Sequence, residues 1–467
     1  MENTIASTGK APGEKKYLKW YNKLGYGSGD AAACLTYALV TQFVMIYLTD
    51  SVGLNSAIIG SLILLSKVLD GITDIIFGHL IDKTHTKMGK ARPWMFFAQF
   101  GVSFCVVMLF SIPNGIGSTS KYVWFFLSYT CMNAIFYTAN NIAYASLTAL
   151  ITKNSNERVQ VGVIRFCFSL GTNLFVAYAT VYLSPIIGWS RIALFYTIAA
   201  IIINTISVFS VRELPPEELL DRSEEKEREK AEKIGLWESI KISFTNRYFV
   251  ALIFNYLIMY TAMGFGGIAI YYFIYIMHNT HNYSTYSSMY YLPMIFGLIF
   301  TPMLVKKFSM YKVNLAGYGV HLAACILFAV AGFAENFPLM FIAMFIRGIG
   351  QGPLIGDQNA LIALSSDYSY RKTGKRVDGM MYSCSSMGNK LGTGIGTAVY
   401  GVLLSSGGFI PNAAQQSASC INMINFLFLI IPIIFAVLMI IDLKMLNVEK
   451  AVQDWDEQHP ESEAAHA

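Results

Sequence analysis

The sequence predicts an all-α membrane protein with twelve transmembrane helices in two pseudo-symmetric six-helix halves. Of its 467 residues, 54% are hydrophobic and only 13% are charged, which is about half the charge of a typical soluble domain. Twelve apolar stretches are each roughly 20 residues or longer, so each can cross a bilayer. One long charged stretch separates the first six from the last six. The net charge of +5 comes mainly from loops and does not indicate nucleic-acid binding.

The predicted spans follow one another with short polar loops between them. The first twenty residues lack the apolar core and small-residue cleavage site of a secretory signal, so we expect membrane insertion to start with the first span. The spans are predicted to begin near Gly27, Ser56, Trp94, Tyr122, Val159, Ser190, Phe249, Ser284, Asn314, Pro338, Asp378 and Ile421.

Lysine and arginine residues predict how the spans are oriented. The N-terminal tail and every second loop after it are basic, whereas the intervening loops hold only Lys121 and Arg191. The positive-inside rule therefore predicts a multi-pass protein of the cell (inner) membrane with both termini in the cytoplasm. The expected regions are a cytoplasmic tail at 1–23, the N-terminal half at 24–211, a cytoplasmic linker at 212–247, the C-terminal half at 248–445 and a cytoplasmic tail at 446–467.

Two aspartates inside the second span are the strongest single indication of function. Asp70 and Asp74 are four residues apart, so both carboxylates lie on one face of a helix, about one turn apart. A charged group at membrane depth costs roughly 3 kcal/mol on the mildest scale, so it needs a compensating partner. A carboxylate pair suits an alkali cation or a proton, and the residues alone do not choose between these. The alternative is a structural ion pair, because Lys67 lies three residues before Asp70.

One family is indicated by stretches that occur together and in order: KLGYGSGD, YLTDSVGL, VLDGITDIIFGHLIDKTHTKMGKARPW, YTANNIAYASL, IRFCFSL and YRKTGKRVDGMMYSCSSMGNKLG. Over residues 20–445 the chain resembles the glycoside–pentoside–hexuronide:cation symporters, whose best-studied relatives are the melibiose/sodium carriers. The resemblance implies a major facilitator fold, in which two similar halves flank a substrate site near the membrane midplane. It also implies a secondary active transporter that moves a sugar, glycoside or hexuronide with Na⁺ or H⁺ by alternating access.

The resemblance implies a cation site. In melibiose-type carriers, two acidic residues of the second helix and a threonine of the fourth bind Na⁺, and the matching positions are Asp70, Asp74 and Thr138. A hard monovalent cation prefers such oxygen ligands. A family lysine that couples the cation and sugar sites matches Lys390. Because a buried ammonium needs a carboxylate, we predict Asp70 or Asp74 as its neighbour. The alternative is a lysine that extends to the cytoplasmic surface.

The implied sugar site is altered in this chain. A family arginine on the fifth helix matches Arg165, which offers donors to sugar hydroxyls or a carboxylate; the alternative is a salt bridge within the bundle. The galactoside-binding aspartate of the family is replaced by Asn141 and its stacking tryptophan by Ala145. An acidic position on the first helix is replaced by Cys34, while Asp30 lies one turn earlier. These departures argue against melibiose as the substrate.

Two further features concern the substrate cavity. Tyr137 on the fourth helix is a candidate cavity residue, although hydrogen bonding between helices explains it equally well. Asn141 replaces a carboxylate of the melibiose-type site, whereas Arg165 and Lys390 are retained, so the cavity is less negative than in those carriers. This charge suits an anionic sugar such as a glucuronide, unless Asp30 restores the negative charge.

Charged residues of the cytoplasmic loops are expected to form ion pairs that close this side when the site faces outward. The alternative is that these charges only set the topology. The candidates are Asp82, Lys87, Lys90 and Arg92 in the first half, and Asp367, Arg371, Lys372 and Arg376 in the second.

The expected partners are a small-molecule sugar or glycoside, a coupling cation and the lipid bilayer, with no nucleic acid, no cofactor and a monomeric state. No nucleophile or metal constellation indicates an enzyme, and the glycines of GTGIG predict close helix packing or a local break. Two rival functions are a Na⁺-coupled lysolipid symporter, as in the family's animal relatives, and a membrane sugar sensor that does not transport. Polar cavity residues argue against the lipid, and the carboxylate pair argues against the sensor.

Overall fold

A computed structural model describes residues 15–215, 236–375, 377–413 and 415–459, which are almost entirely helical. The first helix begins at Trp20, earlier than the predicted Gly27. The N-terminal half consists of α1 (Trp20–Ser51), α2 (Ser56–Asp82), α3 (Arg92–Leu109), α4 (Ser118–Thr130, Cys131–Tyr137 and Thr138–Ile151), α5 (Ser155–Ile187) and α6 (Trp189–Ser210).

The C-terminal half has the same number of helices. A linker helix, Leu236–Thr245, precedes it, and a C-terminal helix, Val448–Gln458, follows it. Its members are α7 (Arg247–Tyr275), α8 (His281–Phe308), α9 (Met310–Phe333), α10 (Phe337–Thr373), α11 (Asp378–Ser406) and α12 (Ala418–Asn425, Phe426–Ile430 and Ile431–Met445).

Within the described ranges, ten helices are long and apolar enough to cross a membrane. The two others of the twelve, α4 and α11, contain more polar residues, among them Asn133 and Thr138 on α4 and Lys390 on α11. Polar side chains inside a membrane bundle usually face other helices or a water-filled cavity. The two least apolar helices are therefore the places to look for a functional site.

The halves pack against each other along α2 and α11. A Cβ added at Gly394 of α11 would lie 3.1 Å from Lys67 Cβ on α2, and one at Gly392 would lie 2.9 Å from the Leu257 carbonyl oxygen on α7. The alternating glycines of GTGIG thus let α11 approach two different helices at once. The predicted close packing is confirmed.

Each half uses a glutamate after its sixth helix to cap its third. Glu213 accepts hydrogen bonds from three consecutive backbone N–H groups at positions 90–92, at 2.7, 2.9 and 3.1 Å. Glu449 accepts one from the Tyr311 N–H at 3.4 Å, at the start of α9. A carboxylate at a helix N-terminus is stabilised by the helix dipole. These caps lie at the end of the bundle that carries the lysine- and arginine-rich loops, which we call the basic end.

Candidate functional site

Lys390 contacts both aspartates of α2. Its Nζ lies 2.8 Å from Asp70 Oδ1 and 2.6 Å from Asp74 Oδ1, and it donates to the Asp70 carbonyl oxygen at 3.3 Å. The spacing of four residues directs both carboxylates toward α11. The Lys390 side chain is only 19% exposed. The lysine therefore lies beside both of its predicted neighbours, in the interior of the bundle.

Thr138 extends this group of residues to α4. Its hydroxyl oxygen lies 2.5 Å from Asp70 Oδ1 and 2.9 Å from the Asn133 carbonyl oxygen. The π-helical turn Cys131–Tyr137 immediately precedes Thr138. Such turns insert one extra residue per helical turn and are frequent at functional sites. The structure thus brings Thr138 to Asp70, and Lys390 connects this pair to Asp74.

Asp70 has a second ammonium neighbour, which the sequence offered as the structural alternative. Lys67 Nζ lies 3.7 Å from Asp70 Oδ2 and donates to Asn133 Oδ1 at 3.2 Å. Lys67 is 4% exposed, so its charge is balanced within the protein. Two ammonium groups and two carboxylates form one group without net charge. We call it the carboxylate–lysine cluster, and its members are Lys67, Asp70, Asp74 and Lys390.

The two carboxylates of the cluster differ in accessibility. The Asp74 side chain is 26% exposed, whereas the Asp70 side chain is 4% exposed. Asp74 contacts only Lys390 among the residues that the structure describes, and Asp70 contacts Lys67, Lys390 and Thr138. Asp74 is therefore the more accessible carboxylate and the one with fewer partners.

Arg165 is neutralised by Asp30. Its Nε lies 2.7 Å from Asp30 Oδ2, its Nη1 donates to Thr148 Oγ1 at 3.1 Å, and its guanidinium carbon lies 4.0 Å from the centroid of the Tyr144 ring. The side chains of Arg165 and Asp30 are 22% and 21% exposed. The salt bridge that the sequence left open is thus present. Within the described residues Nη2 makes no hydrogen bond, so it remains for a further partner.

Cys34 and Tyr137 lie on the same wall of the N-terminal half. Cys34 Sγ is 3.1 Å from Ser169 Oγ on α5. Tyr137 stacks on Tyr37 of α1, with ring centroids 4.5 Å apart and an angle of 14° between the planes. The Tyr37 hydroxyl accepts a hydrogen bond from Lys67 Nζ at 3.4 Å. Tyr37 therefore connects this wall to the carboxylate–lysine cluster.

Asn141 and Ala145 are exposed on an interior face of α4. They lie between Tyr137, which stacks on α1, and Thr148, which binds Arg165 on α5. Spacings of three or four residues place all four α4 positions on one face, so this exposure is to the space between the halves and not to lipid. The predicted substrate residues line one continuous wall, which we call the polar wall: Asp30, Cys34, Tyr137, Asn141, Ala145 and Arg165.

Sequence reasoning missed the residues that hold these groups in place: Tyr37, Asn133, Tyr144 and Thr148. Each is an ordinary polar or aromatic residue of a membrane helix, and each has its partner on a different helix. The sequence indicates that a charged side chain inside a span needs a partner, but it does not indicate which helix supplies that partner.

The predicted gating residues of the first half make contacts within that half. Arg92 Nε donates to the Val208 carbonyl at 2.9 Å and its Nη1 to the Met88 carbonyl at 3.3 Å. Lys87 is exposed and Lys90 half-buried, and neither forms an ion pair with another described residue. The side chain of Asp82 lies outside the described part of the structure.

In the second half, Arg371 binds the C-terminal helix. Its Nε and Nη2 lie 2.7 and 3.2 Å from the two carboxylate oxygens of Asp456. Lys372 Nζ lies 5.0 Å from the centroid of the Tyr368 ring, and Asp367 is half-buried without an ion pair in the described chain. Arg376 lies outside the described residues. The closing role of these groups concerns another conformation and stays a prediction.

Direct bonds between the halves are found at the end opposite the basic end. The Tyr275 hydroxyl donates to Asp50 Oδ2 at 2.5 Å, and Asn412 Nδ2 donates to the Asp50 carbonyl oxygen. Close by, the Ser56 hydroxyl donates to the Gly401 carbonyl at 2.8 Å. At the basic end itself, no hydrogen bond or ion pair between described residues joins the two halves. The carboxylate–lysine cluster, in the interior of the bundle, is the nearest such contact among these residues. The polar wall is therefore reached from the basic end.

Two six-helix halves that share a buried charged cluster and are closed together at one end define a membrane transporter. The chain belongs to the family described as MFS/sugar transport protein, which matches residues 25–450. It is therefore a multi-pass transporter of the major facilitator superfamily and not an enzyme. The family predicted from the motifs of the sequence is confirmed.

Individual relatives agree with this membership. The chain is 29% identical over 467 residues to the isoprimeverose transporter of Lactiplantibacillus pentosus, which covers 96% of this chain and 94% of the relative. It is 26% identical over 419 residues to the glucuronide carrier protein homolog of Escherichia coli (strain K12), with 85% and 86% covered. The structure is also similar to the crystal structure of the nucleoside transporter NupG, with a TM-score of 0.64 and 12% sequence identity. The match covers 92% of this chain and 100% of the NupG chain. The predicted major facilitator fold is thereby confirmed.

Proposed function

We propose that this protein is a symporter that carries a sugar or glycoside across the cell membrane together with Na⁺ or H⁺. The observation that carries the proposal is the Lys390 ammonium group, which lies between the carboxylates of Asp70 and Asp74. A positive group already lies where a coupling cation would be bound. The lysine and the transported cation therefore compete for one pair of carboxylates.

The donor atoms suit a transported cation rather than a tightly held metal. The described residues contain no group of three or more His, Cys, Asp or Glu side chains that could hold a metal ion. Two carboxylates with the Thr138 hydroxyl offer oxygen ligands for Na⁺, and either carboxylate accepts a proton instead. Asp74 receives the cation first because it is the more exposed carboxylate.

Cation binding is expected to act on both halves together. When a cation neutralises Asp70 and Asp74, Lys390 on α11 loses its partners on α2 and becomes free to donate to the substrate. Tyr37 transmits the same change to the polar wall, because it accepts from Lys67 and stacks on Tyr137. Linkage requires that the substrate tightens cation binding by the same factor.

The polar wall supplies the sugar contacts in this proposal. Arg165 Nη2 and the exposed amide of Asn141 are donors for sugar hydroxyls, and Asp30 is an acceptor. The names of the relatives, an isoprimeverose transporter and a glucuronide carrier homolog, support a sugar or glycoside as the cargo. We also propose that the basic end is cytoplasmic, by the positive-inside rule, so that this conformation faces inward.

The test is the thermal stability of the purified protein with a panel of sugars, in NaCl against choline chloride and at several pH values. We expect one sugar or glycoside to stabilise the protein more in NaCl, and D74N to lose this dependence. D454N is the control, because Asp454 is exposed on the C-terminal helix and makes no ion pair with another described residue. A response that depends on pH and not on NaCl would assign H⁺ as the coupling ion. Absence of any sugar response would refute the proposal.

A further inference from the structure

One cation in the C-terminal half belongs neither to the carboxylate–lysine cluster nor to the Arg165–Asp30 pair. Arg347 lies ten residues after Phe337, the first residue of α10. It is therefore about 15 Å from that end of the helix, which is about half the thickness of a membrane. Its Nε is buried and has no hydrogen-bond partner, and its Nη1 contacts only Met344 Sδ, at 3.8 Å. In the described part of the chain, no aspartate or glutamate lies within ion-pair distance of it.

The Arg347 side chain points toward the interior of the bundle. The lipid-facing stripe of α10 is marked by exposed apolar side chains, among them Ile342, Phe345 and Ile349. Helical geometry places position 347 on the opposite side of the helix from this stripe. The accessible part of Arg347 therefore faces the interior and not the lipid.

Two polar residues accompany the guanidinium group. Its carbon lies 5.6 Å from the centroid of the Tyr290 ring on α8, and the Tyr290 hydroxyl donates to Gln351 Oε1, one turn after Arg347. Two turns before Tyr290, Tyr283 donates to Gln42 on α1 at 3.3 Å, so this face of α8 is directed toward the N-terminal half. We call Tyr290, Arg347 and Gln351 the Arg347 cluster.

The charges nearby show what this cluster lacks. Lys67 and Lys390 are both paired with Asp70, and Arg165 is paired with Asp30. Arg347 is the mid-membrane cation that remains without a carboxylate among the described residues. An uncompensated buried charge is costly, and the planar guanidinium group has the geometry to bind the two oxygens of a carboxylate.

We propose that the Arg347 cluster binds the carboxylate of an acidic sugar, so that the substrate is an anionic glycoside. The proposal rests on sugar symport by this protein. The sequence offered Arg165 and Lys390 as cations for an anionic sugar, but in this conformation both are paired with aspartates. The sugar hydroxyls contact the polar wall of the N-terminal half, and the carboxylate reaches across the cavity to Arg347. Cargo recognition is thereby shared between the halves.

The test compares neutral sugars with their uronic acids, as matched pairs that differ only at the terminal carbon: glucose with glucuronate, galactose with galacturonate, and their methyl glycosides. We expect the purified wild-type protein to bind one acid about 10-fold to 100-fold more tightly than its neutral partner. R347M should lose this preference but keep its neutral-sugar affinity. Its melting temperature should be unchanged or higher, because an apolar side chain replaces an unpaired charge.

R247M is the control, because Arg247 is exposed at the start of α7 and its removal should leave the preference unchanged. Persistence of the acid preference in R347M would overturn the proposal. If R347M does not fold, R347K serves instead, because it keeps the positive charge but loses the planar pair of guanidinium donors. A fall of about 10-fold in the affinity for the acid would support the proposal, and an unchanged affinity would overturn it.

The two proposals fail in different ways. Neutral sugars that bind with an NaCl or pH dependence, and with no preference for the acid, would overturn the carboxylate subsite and leave sugar symport intact. A protein that binds no sugar of either kind in any salt would overturn both.

Discussion

Lys390 Nζ lies 2.8 Å from Asp70 Oδ1, although 320 positions separate the two residues in the sequence. Asp70 belongs to the N-terminal half and Lys390 to the C-terminal half, so this ion pair is also a contact between the two halves. We expect a cation that displaces the lysine to weaken that contact. In the proposed symport cycle, ion binding and the conformational change are thus connected through one side chain.

Replacing Lys390 by methionine should leave two carboxylates with Lys67 alone. We expect K390M to lose about 3 kcal/mol of unfolding free energy in choline chloride, because the removal of one partner leaves buried charge unpaired. Where Na⁺ is the coupling ion, NaCl should restore much of this loss, because Na⁺ no longer competes with the lysine. Unfolding followed across a series of NaCl concentrations measures both effects.

K375M is the control, since Lys375 pairs with Glu238 on the surface and contributes less than about 1 kcal/mol. A wild-type salt response in K390M would contradict the competition between lysine and cation.

The two aspartates should differ in their effect on stability. D70N leaves Lys67 and Lys390 facing an uncharged side chain in a buried position, so we expect a loss of about 3–5 kcal/mol. D74N removes one contact from a partly exposed carboxylate, so its loss should be about 1 kcal/mol. Both variants should lose the stabilisation by NaCl. Equal destabilisation by the two substitutions would show that the difference in burial has no energetic consequence.

The closed end should open when Tyr275 loses its hydroxyl. Y275F removes a hydrogen bond to the Asp50 carboxylate, worth about 1.5 kcal/mol or more, which shifts a two-state equilibrium by about 10-fold. Spin labels at exposed positions Asn114 and Ala334, one in each half, report the separation of the halves at this end. We expect a larger fraction of long distances in Y275F.

The matched control for Y275F is Y122F. The Tyr122 hydroxyl lies at the same end and accepts a hydrogen bond from the Asn55 N–H at 2.8 Å, but this contact stays within the N-terminal half. Equal distance distributions for Y275F and the wild-type protein would exclude a role of the Asp50–Tyr275 contact in closing this end.

Glu157 should make stability depend on pH. Burial alone raises the pKa of this carboxyl, but hydrogen bonds from Thr152 and from the backbone N–H groups of Tyr17 and Leu18, with Lys23 nearby, outweigh burial and lower it. A lowered pKa means that the stabilisation is present above the unfolded value of about 4.3 and is lost as the pH falls through the folded pKa. The difference in stability between the wild-type protein and E157Q should therefore be largest near neutral pH and shrink in acid.

An exposed glutamate supplies the comparison for Glu157. Glu238 forms its ion pair on the surface, with 47% of its side chain exposed, so E238Q should cost less than about 1 kcal/mol. A difference for E157Q that grows as the pH falls would contradict a lowered pKa of the Glu157 carboxyl.

Properties of single helices could be predicted from the sequence. Apolar length identifies the spans, and the spacing of Asp70 and Asp74 places both carboxylates on one face. The proximity of Lys390 to them followed from the cost of a buried charge together with the family resemblance. These predictions need only the periodicity of a helix and the energetics of the membrane.

Contacts between side chains of different helices could not be predicted from the sequence. The π-helical turn before Thr138 changes the rotation of α4, and no residue of CMNAIFY indicates it. Asp30 and Arg165 are both charged residues in apolar segments, but their pairing depends on how α1 and α5 are rotated toward each other. The isolation of Arg347 could not be predicted for the same reason, because an absent partner is visible only when all neighbouring helices are in place.

The C-terminal helix is attached to the half that precedes it, through Asp456 to Arg371 on α10 and through Glu449 to the start of α9. We therefore expect a fluorescent protein fused behind this helix to move with the C-terminal half. Energy transfer from it to a dye on the α4–α5 loop would follow each transport cycle in a living cell, without a label near the cargo.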